Sequence, residues 1–479
     1  GPSGSGVATT VTIGTVAYPM LAKAGYEKAA AGGLLAAGGL GAIISPPVLG
    51  AAAFLIAEYL KISYIDVIWM ATIPTILFYF GILVMVELDN RKYANRGEDV
   101  SQTKGTLWRI TKANWLHFGS LVSIIVFMLL GFSPVLSVFW ATMAAVAVGF
   151  IQLVAWPIAL ALSIAVIAAM YGALTIFKIK LLYVVLASFA LFVALAYALP
   201  KLGARGWPKA MVNAMVDGTK GVLNVAPTCA AAGIIVGVVT QTGLAQKFAD
   251  IIITYAAGSL FLTAVYTAAI VWVVGLAVPV TASYILCAVI AAPALMKLGV
   301  PDYAAHMFIF YFAVLSEVSP PTALSPFAAA AITGANPYTT TLQSWKYTMP
   351  AFLLPFMFVL DPLGIALLMK IPTGGSVVDI GSQFVIAALG IVFLAFTFQG
   401  RARLKNLPHE TLLFFLAGTL FVIPLLIAAP LRHFTGFDLT GLVGGGLRLG
   451  MNDVIALALG LLGLTLQMLR RPKLEPAQA

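Results

Sequence analysis

Ile44-Ser45-Pro46-Pro47 and Val318-Ser319-Pro320-Pro321 are the stretches whose reading decides the fold, because each lies deep inside a long apolar segment. Proline removes a helical hydrogen bond and clashes with the preceding turn. Two consecutive prolines in a hydrocarbon setting are tolerated only where the freed backbone groups meet a cavity, a ligand or a neighbouring helix. The copies stand 274 residues apart, Pro46 to Pro320, and the same offset relates Pro19 to Pro293, Lys23 to Lys297 and Gly25 to Gly299. The chain is internally duplicated around a pair of broken helices.

Composition says what surrounds these breaks. Of 479 residues 61% are hydrophobic and 9% charged, with a mean hydropathy of +1.02. Residues 113–177 and 251–296 contain no Asp, Glu, Lys or Arg. A spanning helix needs about 20 apolar residues, so the first stretch alone has room for three. The expected fold class is an all-α polytopic membrane protein. The net charge of +10 is not a nucleic-acid signature, because the basic residues gather at segment ends. Arg91, Lys92, Arg96, Lys104, Arg109 and Lys112 form one cluster, and Lys201, Arg205 and Lys209 a second. Arg401, Arg403 and Lys405, then Arg470, Arg471 and Lys473, form two more. By the positive-inside rule all four face the cytoplasm. Cys229 and Cys287 read as small buried apolar side chains, too few for a disulfide framework or a metal cluster.

Apolar segments are expected at about 7–21, 29–60 with a break at Ser45–Pro47, and 65–86. Further spans are expected near 115–132, 135–153, 157–177 and 181–200, followed by an amphipathic interfacial helix at 201–220. The second repeat then runs through 230–240, 260–276, 281–296, the broken segment 307–331 and 348–359. Spans near 378–398, 411–429 and 454–468 have no partner in the first half. The organisation expected is a first repeat over 1–87, a polar cytoplasmic linker over 88–114 and scaffold helices with a two-span insertion over 115–220. A second repeat over 221–362 and C-terminal helices with a tail over 363–479 complete it.

The breaks come as two pairs. Gly4-Ser5-Gly6 precedes the first Ser-Pro-Pro, and Val278-Pro279-Val280-Thr281 stands at the equivalent place before the second. Such turns expose backbone carbonyls and the hydroxyls of Ser5, Thr9, Ser45, Thr281, Ser319 and Thr322. Oxygen ligands suit a hard cation such as sodium, and half-helix N-termini attract an anion. The plain alternative is a kink packed by neighbours, which the duplication at constant offset disfavours. Glu317 is the one carboxylate in the middle of an apolar span, and its counterpart in the first half is Ile43. Three readings of Glu317 stand open: a cation or proton site, a selectivity residue, or a carboxylate paired with His306 or a backbone N–H. Gly32, Gly33, Gly38, Gly39 and Gly41 read as close helix packing before the first break. Gly334-Ala335-Asn336-Pro337 reads as a helix end and turn, with Asn336 able to lend an oxygen to a site. No phosphate-cradling Gly-rich loop ending in Lys-Ser/Thr occurs, nor any His-Glu-x-x-His, and the four histidines are scattered.

At these residues the chain resembles the large membrane subunit of tripartite ATP-independent periplasmic (TRAP) transporters, and more narrowly the fused permeases that work with TAXI-type receptors. The likeness is carried by Ser3-Gly-Ser-Gly-Val-Ala-Thr-Thr10, Ile44-Ser-Pro-Pro-Val-Leu-Gly-Ala-Ala-Ala-Phe54 and Cys229-Ala-Ala-Ala-Gly-Ile-Ile-Val-Gly237. Phe310-Tyr-Phe-Ala-Val-Leu-Ser316 and Gly334-Ala-Asn-Pro337 add to it. The resemblance implies an elevator-type transporter of the bacterial inner membrane, built from two inverted repeats with discontinuous helices. It implies sodium as coupling ion, no other cofactor, a small organic anion as substrate and a periplasmic solute-binding receptor of TAXI type as partner. By position, Gly4, Ser5 and Gly6 with Gly41, Ser45 and Pro46 would form one sodium site. Pro279 and Thr281 with Ser316, Ser319, Pro320 and Thr322 would form the other. Thr9, Ser283, Glu317 and Asn336 are the substrate or coupling candidates. The chain opens within a domain on this reading, so small-subunit-like helices are expected upstream of Gly1. Two departures from the family pattern bear on the ion chemistry: Glu317, and Val278-Pro279-Val280 in place of a Leu-Pro-Thr-like turn. The contrasting expectations are a proton-coupled carrier using Glu317, or a membrane scaffold or enzyme that transports nothing.

Overall fold

The computed structural model describes residues 5–47, 49–93, 106–113, 115–151, 187, 207–276, 278–372, 374–424, 426, 442–443 and 449–470. The chain divides into two units, residues 1–100 with 229–479, and residues 101–228. The expected spans 157–177 and, apart from Ala187, 181–200 lie outside the described residues, as does Gly4.

The first unit opens with α1 (Gly6–Lys23), α2 (Lys28–Ile44), α3 (Ala51–Leu60) and α4 (Tyr64–Tyr93). Each boundary has a local cause. Ser5 caps α1, its hydroxyl accepting the Ala8 amide at 3.3 Å. Gly25, at φ +83°, turns the chain from α1 to α2, as Gly299 does at φ +90° in the second repeat. α2 stops at Ile44 because Ser45, next to a proline, takes an extended backbone (ψ 126°). The second unit holds α5 (Thr106–Ala113), a 3₁₀ turn (Trp115–Phe118), α6 (Gly119–Leu129) and α7 (Pro134–Ile151). α8 (Trp207–Gln241) begins in that unit and ends in the first.

The rest of the first unit carries α9 (Leu244–Tyr255), α10 (Leu260–Gly275), α11 (Val280–Ile290), α12 (Ala292–Lys297) and α13 (Asp302–Leu315). A 3₁₀ turn (Ser316–Val318), α14 (Leu324–Thr333), α15 (Pro337–Tyr347) and α16 (Met349–Leu360) follow. A second 3₁₀ turn (Gly364–Leu368), α17 (Val377–Gln399), α18 (Pro408–Val422) and α19 (Met451–Leu469) complete it. The only pairing of strands among the described residues is a two-residue ladder, β1 (Leu442–Val443) with β2 (Leu449–Gly450). The protein is an all-α polytopic membrane protein. Among the described residues five helices are long and apolar enough to cross a bilayer, including Tyr64–Tyr93, Val377–Gln399 and Met451–Leu469.

The duplication reaches the level of single elements. Shifted by the Pro46-to-Pro320 offset, α1 falls on Val280–Lys297, the span covered by α11 and α12. α2 falls on Asp302–Val318, which is α13 with its 3₁₀ turn, and α3 falls within one residue of α14. Both proline pairs, Pro46–Pro47 and Pro320–Pro321, are joined by cis peptide bonds.

Three local expectations are revised. From Trp207 on, the interfacial helix expected at 201–220 and the span after it are one continuous helix, α8, with Pro227 inside it; residues 201–206 lie outside the described residues. α4 continues through Tyr93, past the polar boundary at residue 87, because its charged residues Glu87 and Arg91 pair one turn apart at 2.9 Å. α9 was not foreseen, since Lys247 and Asp250 interrupt its apolar run; Ala249 and Ile252 make its buried face.

Glycines let the helices of the repeats approach. A Cβ on Gly33 would lie 2.6 Å from Cβ of Gln343 and 2.7 Å from the Ser344 nitrogen, on α15. Gly38, by contrast, has nothing within 4 Å of a Cβ. Gly33→Ala therefore costs about 1–3 kcal/mol, because backbone must move, while Gly38→Ala is neutral or slightly stabilising. Thermal unfolding of the two purified variants checks this; equal midpoints would contradict the packing described.

Candidate functional site

The half-helices that follow the breaks are exchanged between the repeats. α14, after the second break, packs on α1 and α2 of the first repeat. α3, after the first break, packs on α11 and α13 of the second. Tyr18 Oη of α1 fastens the exchange by donating to the Thr333 carbonyl of α14 at 2.9 Å. This crossing determines which site residues meet.

At the first break, α4 supplies hydrogen bonds to backbone carbonyls on either side of the proline pair. Thr75 Oγ1 donates to the Ile44 carbonyl at 2.7 Å, and Tyr64 Oη to the Pro47 carbonyl at 3.0 Å. Ser45 Oγ donates to the Gly41 carbonyl at 2.5 Å and lies 3.0 Å from Tyr79 Oη. A Cβ on Gly41 would press on Tyr79 Oη at 2.7 Å. Gly41, Ser45 and Pro46 thus belong to an α2–α4 contact. Gly6 meets α2 elsewhere: its carbonyl oxygen lies 2.5 Å from a Cβ built on Gly39, and Ile43 Cδ1 lies 3.3 Å from its own Cβ position. Gly4, part of the expected first sodium site, lies outside the described residues.

What the exchange brings to Gly6 is Glu317. The carboxylate accepts the Gly6 N–H, and its Oε2 occupies the space that a side chain at residue 6 would take. Ser325 Oγ, on α14, donates to the same oxygen at 3.4 Å. The expected alternative of a Glu317–His306 pair is not formed. His306 Nδ1 shares a 2.8 Å hydrogen bond with Tyr284 Oη, and Tyr59 stacks on the imidazole at a centroid distance of 5.9 Å. Beside Gly6, Thr9 and Thr10 are buried, and Thr10 Oγ1 is without a hydrogen-bond partner. Thr10 was missed by the sequence reading. The signal was available, because Gly6 and Thr10 are four residues apart on one face of α1.

At the second break two of the candidate residues, Ser283 and Ser316, meet. Ser283 Oγ and Ser316 Oγ both face Gly275 at the end of α10, 3.1 Å and 2.5 Å from its Cβ position. Ser316 Oγ donates to the Ala313 carbonyl at 2.7 Å. Ser283 Oγ is fully buried with no oxygen or nitrogen partner; the Cys287 thiol leans on it. Ser319 Oγ donates to the Leu315 carbonyl at 2.7 Å and accepts the Trp345 indole N–H at 3.2 Å, so it holds the break together. Pro279 is the residue preceding α11, which has no side-chain cap. Thr281 and Thr322 are partly buried. Asn336 is spent on structure: its Oδ1 accepts the amides of Tyr338 at 2.9 Å and Thr339 at 3.2 Å, capping α15.

Duplicated broken helices, exchanged halves and oxygen-lined turns inside a polytopic bundle define the class: a membrane permease rather than a channel-less scaffold. Residues 1–363 match the family described as "Tripartite ATP-independent periplasmic transporter, DctM component", and the chain belongs to that family. It is the large membrane permease component of a TRAP system, and such a permease works with a periplasmic binding protein. No curated protein matches the chain.

Asn336→Ala removes the cap and costs about 1 kcal/mol, whereas Asn336→Asp keeps an acceptor and costs less. A thermal midpoint for Asn336→Ala equal to the wild type would contradict the capping role.

Proposed function

We propose that this permease is a sodium-coupled secondary importer of a small organic anion, handed over by a periplasmic receptor of the TAXI type at the bacterial inner membrane. The observation that carries the reading is a set of oxygen groups at each repeat, the first including a buried hydroxyl, Thr10 Oγ1, without a hydrogen-bond partner. At the first repeat the Gly6 carbonyl and Thr10 Oγ1 both face Gly39, and the Glu317 carboxylate stands at the Cβ position of Gly6; at the second, Ser283 Oγ and Ser316 Oγ face Gly275 at the C-terminal end of α10. A buried hydroxyl without a partner costs about 1–3 kcal/mol, a cost that a bound cation offsets. Oxygen-only donors, carbonyls from interrupted helices among them, fit a hard monovalent ion. The uncapped N-terminus of α11 is the place where an anionic group of the substrate is stabilised.

The two repeats are taken as inverted copies, as their reciprocal exchange of α3 and α14 would require of a two-fold relation. The movement is of elevator type, the four-break set sliding as one body against the remaining helices. One observation favours proton coupling as a second reading: the carboxylate of Glu317 stands at the break itself, where a proton could replace a cation.

Uptake into proteoliposomes with the loaded receptor outside separates these readings. An inward sodium gradient is expected to drive accumulation, and Thr10→Val to raise the sodium half-saturation about tenfold, the loss of one ligand of about 1.4 kcal/mol. Thr10→Ser is expected to keep the wild-type value. Accumulation driven by an inward proton gradient without sodium, and abolished in Glu317→Gln, would replace the sodium reading.

A further inference from the structure

The repeat makes a prediction that the side chains break. Under the offset that carries Pro46 to Pro320, the pair Gly6–Glu317 corresponds to Val280–Ile43. Ile43 and Glu317 are thus equivalent residues of the two repeats, and both come to Gly6: Ile43 Cδ1 at 3.3 Å from its Cβ position, Glu317 through Oε2 and the Gly6 N–H. Two repeat-equivalent residues, one apolar and one a carboxylate, thus meet at a single glycine of the first repeat. The carboxylate seat is at the amino-terminal end of α1, where unpaired amides and the helix dipole stabilise negative charge. Ser5 already caps this end through the Ala8 amide, and Glu317 takes the Gly6 amide, so the two acceptors serve different donors. The absence of a side chain at Gly6 is what admits the carboxylate, because a Cβ would collide with Oε2.

We propose that Glu317 is a positioning residue: a carboxylate lent by the second repeat that seats the N-terminal turn of α1 and so sets the Gly6 carbonyl and Thr10 hydroxyl for the first ion. Its neighbour Ser316, one residue back in the same 3₁₀ turn, faces Gly275 and Ser283 of the other cluster. One short turn therefore contributes to both clusters, and the first cluster is incomplete without the second repeat. The seat is a matter of geometry; its consequence for ion affinity rests on the sodium reading above.

The test uses the purified full chain in detergent, followed by thermal unfolding. Glu317→Ala lowers the midpoint, and sodium formate restores at least half of the loss, where sodium chloride at equal concentration does not. Formate is the carboxylate of the deleted side chain, and the wild-type seat is already filled, so the wild type gains nothing beyond the chloride control. Replacing potassium by sodium raises the wild-type midpoint, and the sodium concentration for half of that rise increases about tenfold in Glu317→Ala and falls back with formate. Glu317→Gln keeps the volume and removes the charge; it shows the same increase without a response to formate, and it carries the test where the alanine variant does not fold. A folded Glu317→Ala as stable as the wild type, a loss that formate does not reverse, or an unchanged sodium half-saturation overturns the proposal. A wild type indifferent to sodium, with formate rescue of Glu317→Ala intact, removes the sodium reading and leaves the seat in place.

Discussion

A proline pair inside an apolar helix leaves carbonyls with no amide to bond them, and in a bilayer no water is at hand to replace it. Each such group costs several kcal/mol if it stays bare. The first break is affordable because α4 lays Thr75 and Tyr64 against it, donating to Ile44 and Pro47. The second is closed by Ser319, bonded to Leu315 and held by the Trp345 indole. The partners differ between the repeats although the backbone course is the same. That difference is the first sign that the duplicated frame carries two unequal chemistries.

Once a helix is broken, its second half can leave the axis of the first, and here both second halves cross to the opposite repeat. The crossing has a packing reason. α1 presents Gly14 to α14, where a Cβ would stand 2.9 Å from Ile332 Cδ1, and α2 presents Gly32 to Thr340 at 2.8 Å. Small residues let backbones approach closely, which in lipid is the main source of helix association. Ser325 and Glu317 arrive beside Gly6 as a result of this exchange, and a residue of one repeat becomes part of the other's turn.

The sequence carried the elements better than the contacts. Proline, glycine and charge act within a few residues, so the offset read from Pro46 and Pro320 anticipated the bounds of α11 with α12, of α13 with its 3₁₀ turn, and of α14. The second cluster was legible for the same reason, since Ser283 and Ser316 lie at the two breaks of one repeat. The first was not, because Gly6 meets a residue more than three hundred positions away, and neither periodicity nor spacing encodes that pairing. Asn336 was ambiguous by nature: Asn before proline at a helix start serves as a cap or a ligand, and only the direction of its Oδ1 decides. α8 hid because Pro227 and its early charges imitate a boundary, although the helix runs on through them.

The helices beyond residue 363, outside the family match, are bound into the same core. α17 packs on α4, and a Cβ on Gly81 of α4 would meet Ile391 of α17 at 3.1 Å and collide with Pro350 of α16. A polar network joins the three parts. Lys346 of α15 donates to Gln399 Oε1 at 2.8 Å, Gln399 Nε2 donates to the Met85 carbonyl at 3.2 Å, and Tyr347 donates to Asp89. Arg401 adds a bond to the Arg91 carbonyl at 3.1 Å. Such a network is costly to leave half made. α4 of the first repeat, α15 of the second and α17 of the extension therefore gain their stability together. The helix that supplies the first break with its hydroxyls is also the one that the C-terminal extension braces, so the extension supports the break through α4.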